Sequence, residues 1–303
     1  MSQRPRETRL VALPDGRALS YEALGDPSGW PVLLFHGTPA SALAFACFDD
    51  AARELGVRAI AVDRPGIGRS TFAAERRLVD WPTDVSALAD AIGIGNFAVC
   101  GWSAGGPYAL ACAERLGDRV VAAGTIGSPC PLDWPGALDG LLNRDDRRLT
   151  LVARRSPLAA QGILSAVVKL TRHAPERART SFESSLAPSD VAAIASRPEL
   201  ADMSFFVEAF RLGAHGVAWD YRLQGLAWGF DPVTVERPVH LWHGTEDRVV
   251  AYAHAEALSA RLPHPQLDRV EGSGHFLFVE RASEILVTLM RLAQAFHRPT
   301  SAA

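Results

Sequence analysis

The chain has 303 residues, 48% hydrophobic and 21% charged, with a formal net charge of -3. At that length one large α/β domain, or a core with an insertion, buries about 75% of its unfolded surface without staples. The charge balance offers no long-range attraction for nucleic acid or an anionic membrane, which leaves a small molecule as the expected partner.

The segment Met1 to Arg9 is polar and basic with no apolar run behind it, and no apolar run is long enough to cross a bilayer, so the expected setting is soluble and cytoplasmic. Thr8 to Leu13 and Arg17 to Leu24 flank Pro14-Asp15-Gly16, a turn sequence that predicts an antiparallel hairpin. After the Asp26 to Gly29 turn, Pro31 to Phe35 is an unbroken apolar run, as expected of a strand buried on both faces. It ends in His36-Gly37-Thr38-Pro39. A helix is expected over Ser41 to Leu55, then a strand over Val57 to Val62 that opens into the glycine-rich loop Asp63 to Ser70. Thr83 is the expected cap of a helix reaching Ile92. A strand over Asn96 to Cys100, a helix over Pro107 to Leu116 and a strand over Val120 to Ile126 complete the first alternation.

From Pro129 to Arg237 the pattern is helical, with no buried strand. Alternation resumes with a strand over Pro238 to Trp242, a helix over Ala251 to Leu262, a strand over Gln266 to Val270 and a helix over Arg281 to His297; the Pro299 to Ala303 tail is expected to fray. The rhythm implies a mostly parallel twisted sheet with helices on both faces. The core is expected over residues 1–130 and 236–303, with a helical cap, residues 131–235, inserted between two strands.

The chemistry centres on Gly101-Trp102-Ser103-Ala104-Gly105, a G-x-S-x-G pattern between a buried strand and an apolar helix. A sharp turn there strains the central residue, leaves no room for flanking side chains and aims the N–H groups of the new helix at any oxyanion formed beside Ser103. A serine hydroxyl needs a base, and the base needs an acid. Asp247 in His243-Gly244-Thr245-Glu246-Asp247 and His275 in Gly272-Ser273-Gly274-His275 each follow a strand of the resumed alternation, so a parallel sheet brings both to the carboxyl edge beside Ser103. Glu246 is the alternative acid. The cysteines Cys47, Cys100, Cys112 and Cys130 have no C-x-x-C spacing, and the remaining histidines no spacing that suggests a metal.

With these motifs in order the sequence resembles the α/β-hydrolase superfamily over residues 8–130 and 236–297. His36-Gly37-Thr38-Pro39 is similar to the family's H-G-x-P loop, Gly101 to Gly105 to its elbow, Gly244 to Asp247 to its acid loop and Gly274-His275 to its terminal G-H. The resemblance implies the α/β-hydrolase fold with no cofactor, Ser103 as nucleophile, His275 as general base and acid, and Asp247 orienting His275. It also implies an oxyanion hole made by the backbone N–H groups of Thr38 and Ala104. Asp63 to Ser70 is similar to a family loop of mostly structural role, and His36 is expected either to brace the oxyanion loop or to touch substrate.

Substrate choice is expected to lie in the insertion, where Phe206, Phe210 and Trp228, with Trp102 from the elbow, are candidates for an apolar pocket or ordinary core. Arginines of its first half, Arg144 to Arg179, are either solvated faces or an attraction for an anionic substrate. The expected activity is hydrolysis of esters or related carbonyl compounds through an acyl-enzyme at Ser103. A C–C bond hydrolase of diketones or a haloperoxidase-like enzyme would use the same residues, and the reading from another class is a ligand-binding receptor on a hydrolase scaffold. The sequence leaves the oligomeric state open.

Overall fold

A computed structural model describes residues 8–296, so most of the Met1 to Arg9 segment, His297 and the Pro299 to Ala303 tail lie outside the described residues. The strands are β1 (Thr8–Ala12), β2 (Ala18–Gly25), β3 (Trp30–Phe35), β4 (Val57–Val62), β5 (Phe97–Trp102), β6 (Val120–Ile126), β7 (Val239–Gly244) and β8 (Pro265–Val270), in the sheet order β1-β2-β4-β3-β5-β6-β7-β8. β1 and β2 form the antiparallel hairpin at one edge, where Gly16 takes φ 85° in the turn, and β2 is antiparallel to β4; every other pairing is parallel.

Strand alternation sorts the core into two layers. Val32, Leu34, Ala98 and Cys100 face one hydrophobic cluster with Phe45, Phe48, Ile285, Leu286 and Leu289, whereas Leu33, Phe35, Phe97 and Val99 face another with Val85, Leu88, Leu110 and Leu258. The first layer is completed by α1 (Asp49–Glu54) and α12 (Phe278–Phe296), the second by α2 (Trp81–Ala91), α3 (Gly106–Arg115) and α11 (Ala253–Arg261). All four cysteines are buried and free.

The helix expected over Ser41 to Leu55 is instead a 3-10 stretch, Ala42–Phe48, followed by the short α1. Six of the seven residues in that stretch are buried, so packing on several sides, not one amphipathic stripe, sets its path. Thr83 is not a cap: α2 already starts at Trp81, with Pro82 in the first turn, where a missing N–H costs nothing. The last helix starts earlier than expected, at Phe278, with a non-helical backbone at Arg281.

Between β6 and β7 the described residues form no strand beyond an isolated bridge from Leu141 to Val250. The segment holds α4 (Arg144–Arg155), α5 (Pro157–His173), α6 (Pro175–Ser184), α7 (Pro188–Ala195), α8 (Pro198–Ala201), α9 (Ser204–Ala209) and α10 (His215–Gln224). Prolines open four of these helices, since proline is tolerated in the first turn but would break a helix interior. Asn143 caps α4 by accepting the N–H groups of Asp145 and Asp146, and Ser156 caps α5 through Ala159. The segment, called the cap below, has its own small core of Ala153, Leu164, Phe210, Val217 and Tyr221, into which the sheet-edge residue Ile67 inserts. Leu186, Ile194, Leu200 and Phe205 join the layer that contains α12. Among the described residues no helix is long and apolar enough to cross a membrane.

Candidate active site

Ser103 follows directly on β5 and begins the single 3-10 turn, Ser103–Gly105, that leads into α3. Its φ of 53° lies in the left-handed region, which costs a residue with a side chain roughly 1–2 kcal/mol. The flanking glycines are steric necessities. A Cβ on Gly101 would lie 2.1 Å from the Gly105 carbonyl oxygen, and one on Gly105 would lie 2.1 Å from the carbonyl oxygen of Phe35 in the neighbouring strand. Gly37 does the same from the loop after β3, where a Cβ would come within 3.0 Å of the Ser103 Cβ. The elbow and the Gly37-Thr38 loop are therefore in contact. The serine itself is only 7% exposed.

His275 and Asp247 meet at the same edge. His275 Nδ1 is 2.7 Å from Asp247 Oδ2, and Trp102, the residue before Ser103, donates its Nε1–H to the His275 carbonyl at 3.0 Å. The other Asp247 oxygen accepts the N–H groups of Val249 and Val250 at 2.8 and 2.9 Å. Burial disfavours the Asp247 charge, but the His275 charge and hydrogen bonds from His243 and His275 overcome it and hold the carboxyl well below the usual range. An ionised Asp247 can only accept, so His275 Nδ1 carries the proton and Nε2 keeps its lone pair, the form a general base needs. Burial also works against a charged His275, yet the Asp247 charge and hydrogen bond, with smaller contributions from Asp190 and Asp146, raise its pKa above the ordinary value of 6.5. Glu246, the alternative acid, is exposed and uses its N–H on the Ser273 carbonyl.

The loop carrying Thr38 is tied down from below. His36 is fully buried; its Nδ1 donates to the Gly37 carbonyl at 2.7 Å and its Nε2 accepts the Arg64 N–H at 3.2 Å, so both nitrogens are occupied in a neutral ring. Burial and the Arg64 charge push its pKa down to about 3. His36 thus braces the Gly37-Thr38 loop and presents no free polar atom to a substrate. Arg64, also fully buried, bonds the His36 and Gly37 carbonyls and the Thr38 hydroxyl, and pairs with Asp220 of α10 at 2.7 Å. Arg76 holds the second Asp220 oxygen at 2.6 Å. Burial opposes the Asp220 charge, but the two guanidiniums bring its pKa down to about 2. Among the described residues no acceptor takes the N–H of Thr38 or Ala104, leaving both donors available.

Of the four proposed pocket residues, Phe206 and Phe210 pack together with ring centroids 5.1 Å apart, while Trp102 and Trp228 sit in different layers of the core. Trp102 packs beneath the triad against His275, Phe276 and Phe278. Phe210 is buried in the cap core beside Tyr221, and Trp228 is buried against Phe230 in the layer containing α2 and α3. Phe206 is half-buried where the cap core meets the α12 layer. Of the cap arginines, Arg147 and Arg148 pair with Asp139 and Asp145, and Arg179 with Glu176. A cleft of about 490 Å³ lined by Arg17, Phe72, Arg76, Trp81 and Tyr108 includes none of the triad.

Three residues with parts in this geometry have no sequence motif. His243 Nε2 faces the Val250 carbonyl at 2.9 Å, so it carries a proton, and lies 3.4 Å from Asp247 Oδ2. Asp220 and Asp190 reach in from the cap, the first to Arg64 and the second to the backbone of His275. A buried Arg64 demands a carboxylate, which is the one signal for Asp220.

Residues 31–282 match the family model described as alpha/beta hydrolase fold. Over 122 residues the chain is 34% identical to a proline iminopeptidase from Xylella fastidiosa (strain 9a5c), a match covering 38% of each protein, so the likeness spans well under half of that relative's length. It is 26% identical over 200 residues to a pimeloyl-[acyl-carrier protein] methyl ester esterase from Aromatoleum aromaticum, covering 63% of this chain and 71% of the relative. Among solved structures it is similar to the esterase RhEst1 from Rhodococcus sp., with TM-score 0.69 and 24% identity over 94% of this chain and 99% of that one. The epoxide hydrolase VrEH1 from Vigna radiata superposes with TM-score 0.71 at 19% identity, covering 97% of this chain and 100% of the other. At these identities the structural likenesses speak for the fold.

Proposed function

The chain belongs to the alpha/beta hydrolase fold family, and within it we propose a cofactor-independent serine hydrolase of esters or related carbonyl compounds of small molecules. The observation that carries the reading is the 2.7 Å bond from His275 Nδ1 to an ionised Asp247, which leaves Nε2 as a base at the edge where the φ 53° elbow presents Ser103. In this reading His275 Nε2 takes the Ser103 proton as Oγ attacks the carbonyl carbon. The oxyanion that forms accepts the N–H groups of Thr38 and Ala104, and the imidazolium is stabilised by Asp247. His275 returns the proton to the departing alcohol, leaving an acyl-enzyme. A water then gives a proton to the same nitrogen, attacks the acyl carbon and releases the acid, and the proton returns to Ser103.

General base work contributes typically 10²–10⁴-fold and one oxyanion donor about 10²–10³-fold, so the two must act together. A serine at the elbow supports an acyl intermediate, and the esterase and peptidase names among the relatives concern carbonyl substrates of the same chemical kind. A fluorophosphonate probe is expected to label the wild type at Ser103, and Ser103→Ala to lose both the label and about 10⁴-fold or more of ester turnover. Equal ester turnover by the folded variant would refute the nucleophile. A panel of acyl chain lengths, lactones and aryl diketones then separates ester from C–C bond hydrolysis.

A further inference from the structure

Asp190 lies on α7 in the cap, 85 residues before His275 in the chain, yet its carboxylate is built into the loop that carries that histidine. It is 1% exposed. Oδ2 accepts the His275 N–H at 2.9 Å and Oδ1 accepts the Phe276 N–H at 2.6 Å. A third bond, from the Ala187 N–H to Oδ2, closes the first turn of α7 at 3.3 Å. The bonds across to the loop are shorter than the one that caps its own helix. Charge-assisted bonds from backbone N–H groups are the strong kind, and here two of them oppose the desolvation of the buried carboxylate, which still holds its pKa above the ordinary value.

Gly274 makes the approach possible. A Cβ there would lie 2.2 Å from Asp190 Oδ2 and 2.5 Å from Oδ1, and the Gly274 backbone is not in the left-handed region. The glycine before His275 is therefore required by the cap carboxylate, not by the path of its own chain.

We propose that Asp190 is a positioning residue for the catalytic base: it fixes the backbone of His275 through two adjacent N–H groups and adds a second negative charge beside the ring, so that the cap completes the support of the triad. The inference rests on the reading of His275 as the general base. The charged groups acting on His275 are Asp247 from the loop after β7, Asp190 from α7 and Asp146 from α4; Trp102 and Gly127, from β5 and the end of β6, bring no titratable group. All three carboxylates favour the imidazolium.

Asp190→Asn removes the charge and leaves a single acceptor oxygen for the three N–H groups of Ala187, His275 and Phe276. For a small ester it is expected to lower kcat by about 10- to 10²-fold with KM unchanged, since misplacing a catalytic group costs on that order. The acid limb of kcat/KM is expected to move to lower pH, because His275 loses a charge that raises its pKa. A purely structural helix cap would lower the Tm and leave both the kcat of the folded protein and the acid limb in place. Gly274→Ala reaches the same contact from the other side and is expected to reproduce the kcat loss, and the double variant to lose less than the two single losses combined. If Asp190→Asn does not fold, Gly274→Ala decides alone. A wild type that turns over esters and labels at Ser103, with folded variants that match it in kcat and acid limb, overturns this inference only. A wild type that does neither overturns the hydrolase reading beneath it.

Discussion

The sheet edge and the cap that covers it are built to different standards of burial. Every residue of β5, β6 and β7 is buried. By contrast α6 buries none of its residues, and α5 buries only Ala160, Leu164 and Thr171 of seventeen while exposing Leu158, Ile163 and Leu170. Ser103 and Asp247 follow fully buried strands, whereas His275 follows β8, of which only Val270 is buried, and the covering elements are joined to the edge by apolar packing and by two buried carboxylates, Asp190 and Asp220. Chemistry should therefore read out at the edge and stability or access in the cap, with these two acids as the places where the division breaks down.

The largest effect is expected at the edge. Asp247→Asn leaves the fold in place but allows the wrong His275 tautomer, and kcat for an ester should fall about 10⁴-fold. The pH-rate profile of the wild type sharpens the point: with its pKa raised, His275 stays protonated to a higher pH, so the acid limb should fall above 6.5 and move when Asp247 is changed. The linked stabilities run in opposite directions. The contribution of the depressed Asp247 is present above 3.8 and lost as pH falls through its folded pKa, whereas that of His275 is full below 6.5 and lost as pH rises through its raised one.

An effect of intermediate size is expected at the junction. Asp220→Ala strands the fully buried Arg64 and the half-buried Arg76, and should cost about 3–5 kcal/mol in urea unfolding; a loss under about 1 kcal/mol would mean that the cap and the edge are not joined through this pair. The smallest effect belongs to the outer cap. Leu170→Ala, at a position 64% exposed, should change stability by no more than about 0.5 kcal/mol and leave kcat unchanged. A larger loss of stability would show that α5 is covered in solution.

The same division explains which features are legible in the sequence. Gly101 and Gly105 are legible because a strand-to-helix turn brings backbone to within 2.1 Å of where their side chains would be, a local constraint that leaves a local mark. Strands buried on both faces are legible as apolar runs, so β3, β4 and β6 fall where hydropathy alone puts them. Asp190 and Asp220 left no such mark, since their partners are backbone N–H groups and a guanidinium 85 and 156 residues away. The aromatic residues of the insertion could not be divided between pocket and core for the same reason. Phe210 and Trp228 are packed and Phe206 half-buried by contacts from helices whose arrangement hydropathy does not specify.

Arg64 has one further consequence, for modular exchange. Its guanidinium touches the His36 and Gly37 carbonyls, the Thr38 hydroxyl and Asp220 of the cap. A cap grafted from another member of the family would thus need an acid in register with Arg64, and a second facing Gly274, before its pocket could matter. Swapping caps on this scaffold means transplanting two carboxylates first and a binding surface second.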